Sequence, residues 1–399
     1  MNARVTRRRP MEILRAGRGL FDVVKVITGM RRVGKTTLMA MYADELRGSG
    51  VNEADIVWLN LESAECLDVR DSKALLDVLN GRIGDHGTKY VFLDEIQNVD
   101  GWETAVSALI LTDRCDICIT GSNSSMLSSE LATHIAGRYV EVPVTPLSFA
   151  EYMELHPGDV NEMFRQYMRF GALPEVDPGR GEEFCEAQLT GIYNTVLVKD
   201  VLARTDRGDV VALDSIARFL YSNVGNETNV DTIARALGMG NVKVSRYVRM
   251  LEEAFLVYGA ERYDIVGKRI LKTNGKFYAS DLGLRSVALR GAGTADVSRP
   301  LENIVYMELV SRGYTVRVGS YRDREVDFIA LRSGRTEYFQ VCQTMLAEDT
   351  RRRELRSLEG IPDNFPKTVL TLDTFGLGSE GGIEIVNVID WLLGRRTIG

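Results

Sequence analysis

The sequence predicts an α/β protein, with a parallel sheet covered by helices on both faces over residues 1–147 and smaller helical and α/β segments after it. Three observations predict this. Short apolar runs alternate with helical patterns up to about residue 144, as in strand–helix–strand units. The runs read as strands buried within a parallel sheet. After Pro143 and Pro146 the alternation stops, and helical stretches give way to a second β-rich region.

The elements follow in order. Residues 23–29 (Val-Val-Lys-Val-Ile-Thr-Gly) form a buried strand ending in glycine, and a helix starts near Lys35. Further strands are expected at Ile56–Leu61, Tyr90–Leu93, Ile117–Thr120 and Tyr139–Val144. Residues 148–205 read as helical, interrupted at Gly171-Ala172-Leu173-Pro174 and at Pro178-Gly179. A helix over 209–224 precedes two short ones, 230–237 and 241–253, separated by Gly238-Met239-Gly240, and then a β-rich stretch over 255–280. Three helices and a hairpin outline a winged helix-turn-helix. A helix at Leu301–Arg312 leads to strands at 314–318, 325–331 and 336–342, a basic helix near 348–358 and a strand near 367–373. The Gly-rich stretch 376–382 reads as a surface loop. The expected division is 1–147, 148–208, 209–285 and 295–399.

Composition bounds the chemistry. With 399 residues, 45% of them hydrophobic and 26% charged, the chain can bury several cores and fits neither a low-complexity nor a disordered class. The formal charge of −7 argues against coating a polyanion by bulk charge. It averages over basic clusters at Arg7–Arg9, Lys243–Arg249, Lys268–Lys276 and Arg351–Arg353. The 3 His lie in no catalytic spacing, and the 5 Cys suggest no disulfide framework. Cys115 and Cys118 form a CxxC inside a strand-like run without a second ligand pair, where zinc would need four convergent ligands. No apolar run approaches the roughly 20 residues of a spanning helix, and the basic N-terminus has no apolar signal region. A reduced, cytoplasmic setting is expected.

The clearest motif is Gly29-Met30-Arg31-Arg32-Val33-Gly34-Lys35-Thr36, which matches GxxxxGK[ST] between an expected strand and an expected helix. Gly29 and Gly34 let the backbone curl so that its N–H groups face phosphate oxygens. The helix start adds its positive end. Lys35 can reach the β- and γ-phosphates, Thr36 can hold Mg²⁺, and Thr37 is placed toward the α-phosphate. The core is therefore expected to be a P-loop NTPase taking ATP and Mg²⁺. The run Tyr90-Val91-Phe92-Leu93 delivers Asp94 and Glu95 at a strand's C-terminal end, where open α/β sheets bind ligands. Asp94 is expected to hold Mg²⁺ and Glu95 to activate the attacking water. In Thr120-Gly121-Ser122-Asn123, either Ser122 or Asn123 is a candidate sensor of the γ-phosphate, with turn formation as the alternative. Arg138 reads either as an arginine finger acting on a neighbouring subunit or as a surface residue.

Further along, Lys243, Arg246 and Arg249 recur at i+3 on one side of a helix whose Val244, Tyr247, Val248 and Leu251 face a core. With Lys268, Arg269, Lys272 and Lys276 in the following hairpin, they could grip a double-stranded DNA backbone, and packing or homo-oligomerisation is the alternative. Glu302, then Glu325-Val326-Asp327-Phe328, then Gln340-Val341-Cys342 resemble a PD-(D/E)xK nuclease layout, in which Glu302 and Asp327 fit. That site needs acids for Mg²⁺ and a lysine, but Gln340 stands where an acid belongs and Cys342 where the lysine belongs.

The sequence resembles the prokaryotic ATP-binding proteins that join an AAA-type P-loop ATPase domain to a C-terminal domain of unknown function. The matching stretches are Ile27–Leu38, Phe92–Gln97, Ile119–Ser124, Gly137–Val140 with Pro146–Phe149, Phe170–Pro174 and Tyr278–Leu284. The resemblance implies a P-loop core with an additional strand, a winged-helix segment and a C-terminal nuclease-like fold. It also supports Glu95 as base. The reading that follows is a Mg²⁺-dependent ATPase that uses residues 148–208 as a helical lid and drives conformational switching. The alternatives are an ATP-switched DNA-binding regulator and a nuclease effector with an ATPase control domain.

Overall fold

Five short apolar strands, β1 (Val24–Thr28), β2 (Ile56–Asn60), β3 (Lys89–Asp94), β4 (Cys115–Gly121) and β5 (Tyr139–Pro143), pair in parallel in the order β2-β3-β4-β1-β5. The computed structural model describes residues 5, 7–84, 86–123, 135, 137–202, 208–271, 274–290 and 298–395. It divides into two units, Met1–Val144 with Glu253–Phe255, and Thr145–Glu252 with Leu256–Gly399.

In the first unit, strand β4 lies between β1 and β3, so the strand that precedes the glycine-rich loop is not adjacent to the strand that ends in Asp94. The helices are α1 (Arg8–Ala16), α2 (Lys35–Gly48), α3 (Ser72–Ile83) and α4 (Trp102–Ile110). Side chains alternate across a strand, so each strand serves two cores. Val24, Val26, Val91, Leu93, Ile117 and Ile119 pack with Leu75, Leu79, Trp102 and Val106 from α3 and α4. On the other face Phe92 meets Tyr42 of α2, with ring centroids 6.1 Å apart. Cys115 and Cys118, three apart in β4, therefore point to opposite faces and are both buried. Lys25 of β1 is fully buried and forms an ion pair with Asp116 of β4. The same pair holds the chain leaving α1, through Lys25 Nζ to Gly17 O at 3.0 Å and Gly19 N to Asp116 Oδ2 at 2.7 Å.

The second unit begins with α5 (Phe149–Leu155), α6 (Val160–Phe170) and α7 (Glu182–Thr195), the last running into a π-helical turn at Val196–Val201. Ser148 and Glu151 form a capping box at the start of α5. Then come α8 (Val210–Ser222), β6 (Glu227–Thr228), α9 (Val230–Leu237), α10 (Asn241–Glu253), β7 (Val257–Ala260), β8 (Arg262–Asp264), β9 (Arg269–Ile270), β10 (Gly275–Ala279) and α11 (Leu282–Ala288). The chain closes with α12 (Ser298–Ser311), β11 (Thr315–Tyr321), β12 (Arg324–Arg332), β13 (Arg335–Cys342), α13 (Glu348–Leu358), β14 (Lys367–Thr371), β15 (Gly378–Glu380), β16 (Ile383–Asn387) and α14 (Val388–Leu392). Strands β6, β10 and β7 form a small antiparallel sheet, and the others form an eight-stranded sheet in the order β15-β16-β14-β13-β12-β11-β8-β9.

Two features depart from the sequence reading. The stretch 376–382 contains β15, which turns at Gly381-Gly382, both at positive φ, into a strand that the glycine count concealed. The hairpin after α10 splits between the sheets. Strands β7 and β10 pair with each other, while β8 adds in parallel to β11, and Ile265 at its end is buried in the core beneath the eight-stranded sheet.

Asp281 ties the start of this unit to its middle. It caps α11 through Leu284 N at 2.9 Å and accepts from Ala172 N at 2.6 Å. Gly171 sits so close that a Cβ would fall 2.2 Å from Asp281 Oδ1, and its φ of +76° also favours glycine. Burial pushes the Asp281 carboxyl up to about 6, although three backbone N–H groups oppose the rise. The unfolded chain gives up this proton near pH 4 and the folded chain near pH 6, so the stability present below pH 4 is lost as pH rises through 6. Urea unfolding of the wild type between pH 4 and 6.5 is expected to show a loss of about 3 kcal/mol from this group. Asp281→Asn, though less stable throughout, is expected to lack that part of the slope. Parallel pH profiles for the two proteins would refute the assignment.

Candidate active site

The loop between β1 and α2 is shaped by contacts that leave no room for side chains at its start. A Cβ on Gly29 would lie 2.1 Å from the carbonyl oxygen of Val144, next to the end of β5. Met30 and Val33 are buried beneath the loop, Arg32 is exposed in the left-handed region at φ 72°, and Arg31 reaches Glu62 at 3.6 Å. Gly34, at φ 95°, is the N-cap of α2 and supplies no side-chain cap, so the first N–H groups of the helix are available to an anion. Thr37 is exposed one residue beyond Thr36. Lys35 is buried; its Nζ donates to Gly29 O at 3.0 Å and Met30 O at 3.2 Å, and lies 3.9 Å from Glu95 Oε1.

Asp94 is the hub of the site. Its carboxylate is 2% exposed and accepts from Thr36 Oγ1 at 2.9 Å and Thr120 Oγ1 at 2.6 Å. Burial pushes its pKa up, while the two hydroxyls hold the ionised form and so oppose the rise. Thr120 also accepts the N–H of Glu95 at 2.9 Å. One hydroxyl on β4 thus fixes both acids at the end of β3. Glu95 adopts φ 54°, a strained setting for a non-glycine residue that aims its N–H at β4 and its carboxylate at Lys35. Gln97 Nε2 donates to Glu95 Oε2 at 2.5 Å and lies 3.5 Å from Ser122 Oγ.

The residues expected from the sequence at the loop and the end of β3 therefore meet at one edge of the sheet. Ser122 joins them through Gln97, and Asn123 is buried beside it. Arg138 is exposed at the opposite edge, just before β5, where its carbonyl accepts from Val24 N at 2.9 Å. A strand of five residues spans about 16 Å, so Arg138 does not reach the loop of its own chain. Thr120, Gln97 and Arg7 were missed. Arg7, expected as part of an exposed basic cluster, is instead 6% exposed and donates to Val33 O at 3.3 Å. Only the TGSN context pointed toward Thr120, and nothing in the sequence pointed toward Arg7.

The proposed DNA contacts require correction at one residue. Lys276 is 4% exposed and paired with Glu302 and Glu325, so it is not a surface lysine of a wing. It sits in β10, whose side chains on this face turn inward beneath α12. Lys243 pairs with Asp209 at 2.7 Å, whereas Arg246, Arg249, Lys268 and Arg269 are exposed. Lys272 lies outside the described residues. In the C-terminal layout, Gln340 links Asp327 N to Glu354, and Cys342 is buried, with burial pushing its thiol up to about 12. Among the described residues, no helix is long and apolar enough to cross a membrane.

Comparison with known proteins agrees with this geometry. A family model described as an AAA domain matches residues 22–153, and one described as a domain of unknown function (DUF8612) matches residues 161–296. An uncharacterized protein of Haemophilus influenzae is 38% identical over 383 residues, covering 93% of this chain and 94% of its own. An uncharacterized protein of Methanocaldococcus jannaschii is 27% identical over 406 residues, covering 93% and 88%. Among solved structures, a Walker-type ATPase of Pyrococcus abyssi superposes with a TM-score of 0.53 at 13% identity, over 71% of this chain and 96% of that one, and so shares its fold. The match to the Haemophilus influenzae protein runs nearly end to end, and with it the chain belongs to that protein's family, as an AAA-type P-loop protein with an α/β parallel-sheet core.

Proposed function

We propose that the protein is an ATPase that hydrolyses the β–γ bond of ATP and spends the free energy on conformational switching. The observation that carries this is the convergence of Lys35, Thr36, Asp94, Thr120 and Glu95 around an uncapped helix start. A triphosphate would offer Lys35 a charge-assisted bond beside the Glu95 carboxylate. Thr36 and Asp94, a hard oxygen donor pair, would hold Mg²⁺, which would supply positive charge to offset that of the phosphates. Glu95 takes a proton from the attacking water, the water oxygen bonds to the γ-phosphorus, and the bond to the bridging oxygen breaks to release ADP and phosphate. Ser122, acting through Gln97, orients Glu95; Asn123 beside it is the second candidate sensor. Arg138, far from its own loop, acts on the nucleotide of a second copy in a homo-oligomer. Residues 148–208 act as the helical lid that passes the nucleotide state to the rest of the chain.

We also propose that α8–α10 with β6, β7 and β10 form a winged helix-turn-helix, and that α12 to β14 form a PD-(D/E)xK-like domain. The order of helices and the three-stranded antiparallel sheet support the first; the mixed order around β11–β14 supports the second. A second reading, in which ATP switches contact with double-stranded DNA, is favoured by the exposed Arg246 and Arg249 on one side of α10.

Glu95→Gln is expected to bind ATP with near-normal affinity and to release phosphate at least 100-fold more slowly. Equal rates would remove Glu95 as base. Thr120→Val removes one of the two hydroxyls that donate to Asp94 and the acceptor of the Glu95 N–H. It should cost about 1–3 kcal/mol in urea unfolding and slow turnover, with Thr120→Ser restoring both. For the second reading, fluorescence anisotropy at low salt should show duplex binding that weakens, with a shallower salt slope, in Arg246→Ala/Arg249→Ala. Unchanged binding in that variant, or no binding at all, would reject this surface.

A further inference from the structure

The second unit brings together acidic residues that are far apart in sequence. Glu302 comes from α12, and Glu325 and Asp327 come from β12. Into this group reaches Lys276 of β10, with Nζ 3.2 Å from Glu302 Oε1 and 2.7 Å from Glu325 Oε1. Tyr278, on the same face of β10, donates to the same Glu302 oxygen at 2.7 Å. Asp327 is held from the other side, with Oδ2 accepting from Val341 N at 2.8 Å and its N–H donating to Gln340 Oε1 at 3.2 Å. Glu325 and Asp327 line a cleft of 510 Å³ that also exposes Arg352, Arg353 and Arg356, so a cation from solvent can reach them.

In a metal-dependent phosphodiesterase, carboxylates in such a layout would gather around a divalent ion. Here a buried ammonium bonds directly to two of those carboxylates, Glu302 and Glu325, and so occupies oxygens that a divalent ion would need. Among the described residues, no three acidic, His or Cys side chains converge to hold a metal.

We propose that Lys276 is a built-in cation that takes the place of a divalent metal among Glu302, Glu325 and Asp327, and that this centre joins the three-stranded sheet to the eight-stranded one rather than cutting phosphodiesters. The lysine is buried, it has two carboxylate partners, and those partners belong to elements of the other sheet's layer. The proposal is independent of ATP hydrolysis.

The test uses the full chain without nucleotide, Mn²⁺ as probe, and electron paramagnetic resonance of free Mn²⁺ as readout. Any site at the P-loop is common to all variants and cancels. Wild type and Asp327→Asn are expected to give the same isotherm. Lys276→Met is expected to gain a site that binds Mn²⁺ at least tenfold more tightly than wild type does, and Glu302→Gln in the same chain should remove it. Lys276→Arg should behave as wild type. A Mn²⁺ site in the wild type that Asp327→Asn abolishes would overturn the proposal, as would Mn²⁺-dependent cleavage of linear duplex DNA lost in that variant. A folded Lys276→Met that gains no site would also overturn it. If Lys276→Met does not fold, the comparison of wild type with Asp327→Asn decides alone.

Discussion

A carboxylate with almost no solvent contact has to find its hydrogen bonds within the protein, and Asp94 finds them in two different elements. Thr36 comes from the first turn of α2 and Thr120 from β4. Because β4 lies between β1 and β3, Asp94 spans the gap that the strand order opens between the glycine-rich loop and the end of β3. The rest of the site follows from that constraint. Thr120, placed by Asp94, also accepts the Glu95 N–H, which matches the left-handed backbone there and turns the next carboxylate toward Lys35. The loop itself is clamped from outside by Val144 behind Gly29 and by Arg7 on Val33. A site held this closely would need little rearrangement to take the proposed phosphate, the condition under which fixed dipoles act at least cost.

The second unit applies the same logic to a different end. Asp281 and Glu302 are the partners that bring distant segments into register, one joining α6 to α11 and the other joining β10 to α12. Breaking one partner of such a contact leaves an uncompensated buried group, which costs more than the intact contact contributes. That asymmetry enforces the arrangement even where the net stabilisation is small. The addition of β8 to β11 works with it, since a hairpin otherwise open at its edge is captured by a neighbouring sheet and buries Ile265.

Much of the first unit was legible because its signals are local. GxxxxGK[ST] fixes a turn, a helix start and the identity of a lysine together, and an apolar run ending in Asp-Glu marks the end of a buried strand. The second unit was less legible because its decisive contacts are not local. Charges spaced at i+3 on α10 identify a face, and three of its residues do lie on one side, but spacing does not say that Asp209 will pair with Lys243. Alternation in a hairpin does not say which strand a neighbouring sheet will capture. Lys276 looked like its neighbours Lys268 and Arg269 in sequence; only the pairing of β10 with β7 and the course of α12 bury it. Thr120 was overlooked for a related reason. A threonine inside a strand reads as β-propensity, and its hydroxyl acquires a role only when β3 lies alongside in the right register.

Three buried lysines show what sequence and structure each contribute. An ammonium does not stay in a protein interior without partners, so the kind of partner reveals what the site was built to meet. Lys25 faces Asp116 and a backbone carbonyl, and its charge is answered within the sheet. Lys276 faces Glu302 and Glu325, and its charge is answered between two sheets. Lys35 donates to two neutral carbonyls and keeps its carboxylate at 3.9 Å, beyond hydrogen-bond range. The first two gain little from an incoming anion, because one would have to displace a carboxylate already in place. Lys35, with its carboxylate partner further off, would gain most from the proposed phosphate, beside a helix start that also favours negative charge. The residue type is the same at all three positions; what differs is the set of neighbours that topology supplies, and that difference supports Lys35 alone as the proposed phosphate ligand.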